Sequence, residues 1–216
     1  MSHEELMRWK YRRYMRNYLG TVKAVDESVG RMLKYLDDND LAKNTIVIYS
    51  SDQGFFLGEH GWYDKRWMFE ESFRMPFLVR WPGVIAPGAK PEQLIQNIDY
   101  APTFLEIAGL EIPAEVQGRS LMALFKGKAE GWRESLYYSY YEFGEHRVPQ
   151  HFGVRTARHK LMYFPRSKEW NLFDLKTDPN EMKSVHAERE YLKVRRELTE
   201  EFRRLREHFG APGFAE

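Results

Sequence analysis

The chain has 216 residues, with 33 Lys and Arg against 32 Asp and Glu and a formal net charge of +1, a balance that argues against a dedicated nucleic-acid or membrane-surface protein. Hydrophobic residues make up 43% and aromatics 15%, enough to fill a core, so wholesale disorder is excluded. There is no cysteine, which removes a disulfide framework, a thiolate metal site and a cysteine nucleophile from this chain.

No apolar run approaches the ~20 residues that a membrane span needs. Residues 1–16 are charged and aromatic without a small-residue cleavage site, so they do not read as a secretion signal. The expected location is therefore open, and periplasmic or secreted only if a signal lies outside this sequence.

In chain order, residues 4–38 predict one long helix. Tyr18, Val22, Val25, Val29, Met32 or Leu33, and Leu36 step by three and four, the spacing of a single buried stripe. The preceding run Arg8-Trp9-Lys10-Tyr11-Arg12-Arg13-Tyr14 reads as a half-solvated helix with its basic stems lying along apolar surface, in preference to a nucleic-acid face. Residues 45–50 (TIVIYS) predict a strand buried on both faces of a parallel sheet, and residues 76–81 (PFLVRW) a second. Residues 99–108 predict a helix with Pro102 in its first turn. This order implies an α/β domain with active groups at the carboxyl ends of strands.

After Trp132 the pattern changes. Residues 135–142, 153–156, 160–164 and 171–175 predict four short strands of an antiparallel sheet. Residues 188–209 predict a charged helix with Leu192, Val194, Leu198, Phe202 and Leu205 mostly on one face. The expected organisation is an α/β portion over residues 1–133 and an antiparallel-sheet subdomain with a terminal helix over residues 134–216.

The chemistry concentrates in residues 51–66 (SDQGFFLGEHGWYDKR). Asp52 follows directly on a predicted strand, a rigid place for a metal-binding carboxylate, and Gln53 adds a neutral amide oxygen that a hard cation accepts. Glycines let the backbone fold back over the site, and Lys65 can stabilise anionic oxygens. Residue by residue, plainer readings stay open: Asp-Gln-Gly as an Asx turn, His60 as a hydrogen-bonded loop histidine, Lys65 as a solvated charge.

As a whole, Ser51-Asp52-Gln53-Gly54 through Lys65-Arg66 resembles the second metal-binding segment of the sulfatase family, within the alkaline-phosphatase-like superfamily. Residues 18–36, 74–83, Asp99-Tyr100-Ala101-Pro102-Thr103, Gln117-Gly118-Arg119-Ser120-Leu121, Gly153-Val154-Arg155-Thr156 and Leu172-Phe173-Asp174-Leu175 resemble further family stretches, in the family's order. The resemblance implies Asp52 and Gln53 as ligands of a divalent cation, usually calcium. It implies Lys65 as the catalytic cation on the sulfate, and His60 as a residue behind the ligands or one that fixes the loop. Arg66 is expected either to touch the sulfate or to pair with Asp64. His151, with Glu145, His146, Arg147 and Gln150, is expected in a loop between strands, where it either contacts a sugar or is an ordinary exposed histidine.

The family's nucleophile is a formylglycine made from Cys or Ser in a Cys/Ser-x-Pro-x-Arg segment, and neither form occurs here. The match begins well inside the family pattern, so the expectation is a C-terminal part of a sulfatase acting on a sulfated small molecule or glycan. Alone it should be catalytically dead, bind calcium weakly or not at all with two protein ligands, and self-associate through surfaces meant for the absent part. Two alternatives remain: a phosphate or phosphonate monoester hydrolase of the same superfamily, against which Gln53 in place of the commoner His leans, and a non-catalytic module that binds glycan or a partner chain.

Overall fold

The computed structural model describes residues 1–142 and 146–211. In chain order its elements are helix α1 (His3–Asp38), strand β1 (Val47–Ser50), helix α2 (Glu70–Phe73), strand β2 (Phe77–Arg80), helices α3 (Tyr100–Ile107) and α4 (Met122–Phe125), strands β3 (Ser135–Tyr140), β4 (His151–Thr156), β5 (His159–Phe164) and β6 (Glu169–Asp174), and helix α5 (Leu192–His208). Two compact units result: residues 1–49 with 77–87, and residues 50–76 with the chain from Gly88 onward.

In the first unit α1 runs for 36 residues, roughly 54 Å at 1.5 Å per residue. It starts at a reciprocal cap in which the Glu5 amide donates to Ser2 Oγ (3.2 Å) and the Ser2 amide to Glu5 Oε2 (2.6 Å). Acidic Glu4 and Glu5 in the first turn complement the helix dipole. Strands β1 and β2 form a two-stranded sheet. Arg80 clasps the last turn of α1 by donating to both carboxylate oxygens of Asp37, at 2.6 and 3.4 Å.

The expected burial of this unit needs correction. No residue of α1 is buried; Val22 is 46% and Met32 67% exposed, while Tyr18, Val29, Leu33 and Leu36 are half-covered. Strand β1, expected to be enclosed on both faces, is only half-buried, with Tyr49 exposed. A stripe with 3.6-residue spacing states which side of a helix wants cover. It does not supply the layer that covers it, and two short strands are too little apolar surface to do so.

In the second unit β3-β4-β5-β6 is an antiparallel meander in sequence order, as the four runs predict, though β3 stops at Tyr140 and β4 begins earlier, at His151. Alternation divides each strand between two faces. On one face Phe152, Val154, Leu161 and Leu172 pack against Leu198, Phe202 and Leu205 of α5. On the other, Met162, Phe164 and Phe173 pack against Met68, flanked by Trp67, Phe69 and Phe73. The helix thus closes one side of the sheet, and the segment that follows the Asp52 loop closes the other.

Gly153 sits where that segment presses closest. A Cβ there would lie 2.3 Å from the Leu161 carbonyl oxygen and 2.4 Å from Met68 Sδ. The first neighbour is backbone of the paired strand and cannot withdraw. Gly153→Ala is therefore expected to cost about 2 kcal/mol or more, read as a lower thermal midpoint with unchanged far-ultraviolet dichroism below it.

Asp99 is a second fixed point. Fully buried, it accepts from the amides of Gln96 and Arg119 (both 2.8 Å) and from both terminal nitrogens of Arg133, one at 2.7 Å and the other closer. The result is a mixed α/β architecture with a small two-stranded sheet, a four-stranded antiparallel sheet and a closing helix.

Candidate metal and sulfate site

Strand β1 ends at Ser50, whose hydroxyl meets Tyr100 Oη at 2.8 Å and the Pro76 carbonyl at 3.1 Å. The chain then leaves as Ser51-Asp52-Gln53-Gly54 and folds back on itself. The amides of Gly54, Phe56 and Gly58 each donate at 2.9 Å, to the carbonyls of Ser72, Asp64 and Trp62. Gly54 is required by this closeness, since a Cβ would lie 2.0 Å from the Glu71 carbonyl oxygen. Phe56 and Met68 are fully buried beneath the loop.

On this scaffold Asp52 presents its carboxylate outward, 81% exposed. Lys65 Nζ lies 3.2 Å from Asp52 Oδ2, and that hydrogen bond and charge hold the Asp52 carboxyl below its ordinary pKa. Gln53 turns its amide nitrogen inward, donating to Ser72 Oγ at 2.9 Å and, at shorter range, to the Lys65 carbonyl. Ser72 Oγ in turn donates to the same carbonyl at 2.6 Å. No described group donates to Gln53 Oε1. Asp52 and Gln53 line a cleft of 380 Å³ whose walls include Ser72, Arg74, Tyr138 and Arg155.

Of the two roles open to Arg66, its guanidinium takes the ion pair with Asp64. His60 has a left-handed backbone (φ 54°) and a side chain 12% exposed, with Nε2 3.7 Å from Glu71 Oε2. Its ring stacks on Phe69 at 4.3 Å, so it fastens the loop from beneath.

His151 is not in a loop. It opens β4 and is fully buried, among the rings of Trp67, Tyr138, Tyr140 and Phe164. The Met68 amide donates to its Nε2 (3.2 Å), which places the proton on Nδ1, 2.9 Å from the Pro149 carbonyl. Its expected exposure and sugar contact are corrected accordingly: with both nitrogens engaged and no free surface, the side chain offers a ligand nothing. Glu145 lies outside the described residues.

Burial pushes the His151 pKa down to about 4 from 6.5. A histidine whose folded pKa is depressed stabilises the fold fully above pH 6.5 and loses that contribution as pH falls toward 4. The wild-type chain is expected to lose about 3 kcal/mol more stability than His151→Gln between pH 6.5 and 4, measured by denaturant melts across that range.

Four charged residues that the sequence did not single out tie the loop to the sheet. Lys160, with no exposed surface, places Nζ 2.7 Å from Glu181 Oε1 and 2.9 Å from Glu70 Oε1. Arg155 reaches Glu70 Oε2 at 3.0 Å, and the Glu70 amide donates to Glu181 Oε2 at 2.7 Å. Burial raises the Glu70 carboxyl, but the Arg155 and Lys160 cations outweigh it and hold it at about 2; at Glu181 burial wins and the carboxyl is raised. Period-two alternation from Gly153 was the signal available for Arg155. Glu181 closes the run Asp178-Pro179-Asn180-Glu181, which resembles a further family stretch, and no signal was available for Glu70.

No group of three or more His, Asp or Glu side chains is close enough to hold a metal among the described residues. Asp52 and Gln53 supply two adjacent hard oxygens, which fit as part of a calcium site that needs six to eight.

Residues 3–110 match the sulfatase family, and residues 58–208 match the C-terminal family of N-sulphoglucosamine sulphohydrolase. The chain belongs to the sulfatase family. This sulfatase chain is 46% identical, over 92% of its length, to N-acetylglucosamine-6-O-sulfatase of Bacteroides thetaiotaomicron, and 32% identical, over 81%, to an arylsulfatase of Clostridium perfringens. It spans 36% of the length of each of these relatives. A solved structure described as in complex with its substrate, D-glucosamine-2-N,6-O-disulfate, covers 97% of the chain at 44% identity and a TM-score of 0.92, the chain covering 43% of it. The phosphonate monoester hydrolase of Agrobacterium radiobacter is further off, at 25% identity and a TM-score of 0.76, over 86% of this chain and 39% of that one. The family's members are sulfuric ester hydrolases. No helix among the described residues is long and apolar enough to cross a membrane.

Proposed function

We propose that this chain furnishes part of the metal and sulfate site of an enzyme that hydrolyses sulfate esters on sulfated glycans, 6-O-sulfated glucosamine being the first substrate to try. The observation that carries this is the approach of Lys65 Nζ to Asp52 Oδ2, 3.2 Å apart across thirteen positions of sequence, where Asp52 and Gln53 line one cleft. Asp52 Oδ and Gln53 Oε1 would supply two of the oxygens that hold a calcium ion, and that ion would offset charge on the sulfate oxygens. Lys65 sets its ammonium against the same anion as negative charge builds on oxygen. Arg66 stays paired with Asp64, and His60 keeps the loop in place.

The 216 residues contain no Cys and no Ser-x-Pro-x-Arg; on this proposal the attacking group is supplied from outside them, and the chain alone is expected to turn nothing over. In the whole enzyme the joint near residue 133 divides the α/β domain from the antiparallel subdomain. The deciding measurement is sulfate release from 6-O-sulfated glucosamine by the enzyme that includes this chain, with and without a calcium chelator. Preferential cleavage of phosphate or phosphonate monoesters would sink the proposal.

The uncovered stripe of α1 also has a consequence for the isolated chain. Its apolar side chains are expected to drive self-association, seen as a concentration-dependent mass in sedimentation. A monomer with a cooperative melt would count against this.

A further inference from the structure

Helix α5 carries cations that the sulfate site does not use. Arg195, Thr199, Arg203 and Arg206 recur at spacings of four, four and three, along one flank of the buried row Leu198, Phe202 and Leu205. Glu197 and Glu201 fall on the other flank, where Glu201 holds Arg204 through two contacts of 2.7 Å. Among the described residues Arg195, Arg196 and Arg203 form no ion pair; Arg195 donates only to the His186 carbonyl, at 3.1 Å.

These three arginines rim a groove of 450 Å³ floored by Trp170 and His186, with Thr199 and Glu200 on the same rim. The Trp170 ring is half-exposed and held rigidly. It lies 4.3 Å from Tyr163, edge-on to Phe202 at 5.8 Å, and parallel to His186 at 6.3 Å. Burial and the Arg195 charge keep the His186 pKa below its ordinary value, so the groove's positive charge belongs to the arginines. The groove lies on the α5 side of the sheet, away from the face on which the Asp52 loop rests.

We propose that this groove is a second, non-catalytic binding site for a sulfated sugar chain, with a sugar ring laid on Trp170 and its sulfates on Arg195, Arg196 and Arg203. The planar guanidinium fork matches the oxygens of a sulfate. Arg196 and Arg203 stand ~10 Å apart along the helix axis, so they engage successive anionic groups of a polymer and not one small anion. Glu200 opposes this attraction without cancelling three cations. The same cations and ring would suit a nucleic acid, and the sulfated-glycan reading above is what selects a sugar chain as the occupant. The site would keep a polymeric substrate tethered near the enzyme. The inference rests on the sulfated-glycan reading above.

The test is fluorescence anisotropy of a labelled heparin-derived octasaccharide titrated at low salt with the enzyme that includes this chain, with a calcium chelator present so that no sulfate is released. Arg196→Glu/Arg203→Glu is expected to weaken binding at least ~tenfold, whereas Arg12→Glu/Arg13→Glu on α1 leaves it unchanged. A fully desulfated octasaccharide should not bind. Arg196 and Arg203 are exposed, so the fold should survive, with far-ultraviolet dichroism as the check. The proposal is overturned if the α5 variant binds as tightly as wild type, if both variants lose equally, if the desulfated sugar binds, or if single-stranded DNA of similar charge binds as tightly. This assay involves no turnover. A failure to release sulfate would overturn the function proposed above and leave the groove result standing separately.

Discussion

Lys65→Ala, introduced into the enzyme that contains this chain, is expected to lower kcat/KM for a sulfate ester by a factor of ~10²–10³. Lys65 stands 3.2 Å from Asp52, and under the proposed function a sulfate would bring at least one negative charge beside that carboxylate. Without the ammonium, the Asp52 carboxylate faces the incoming sulfate with one cation fewer, and the penalty grows as charge gathers on oxygen. The loss should fall on kcat as well as KM, because the interaction strengthens towards the transition state. Lys65→Arg keeps the charge on a longer, broader group and should retain part of the activity. The side chain is partly exposed and, among the described residues, its ammonium pairs with Asp52 alone, so the melting point should hardly move. An alanine variant with unchanged kcat/KM would remove Lys65 from the chemistry.

Lys160→Ala is expected to destabilise the chain by about 3–5 kcal/mol, measured by urea unfolding. The ammonium has no exposed surface and lies between Glu70 and Glu181. Its removal leaves Glu181 buried with no cation, in surroundings that already raise its carboxyl. The loss should extend to the site, because the Glu70 amide is anchored to Glu181 and Glu70 begins α2, on which Ser72 and its bonds to Gln53 and the Lys65 carbonyl depend. Lys160→Met/Glu181→Gln removes both charges and keeps an oxygen for the Glu70 amide. This double variant should recover more than half of the lost stability, since an absent pair costs far less than a broken one. If the double variant is no better than the single one, the cluster is not an electrostatic unit.

Period and spacing made most of the elements legible. The 3.6-residue rhythm gave α1 and α5 nearly to their ends, and four β-rich runs gave the antiparallel meander. The candidate site was legible in part for a different reason: Asp52, Gln53, His60, Lys65 and Arg66 lie within fifteen positions, so one loop carries them and local order suffices to list them. Their contacts were less so. Arg66 had two roles open, and only the fold set it against Asp64.

The sequence by itself determined most of the secondary elements, the family and the residues of the Asp52 loop, because each is written in neighbouring positions. The tertiary structure decided what lies inside. His151 and Met68 meet across 83 positions, and Glu70 and Glu181 across 111. Strand pairing fixes which face of β4 and β5 meets the returning loop, and a one-residue shift in register would reverse every side chain. That is why a histidine readable as a sugar contact lies in an aromatic core, and why Lys160 sits buried between two carboxylates.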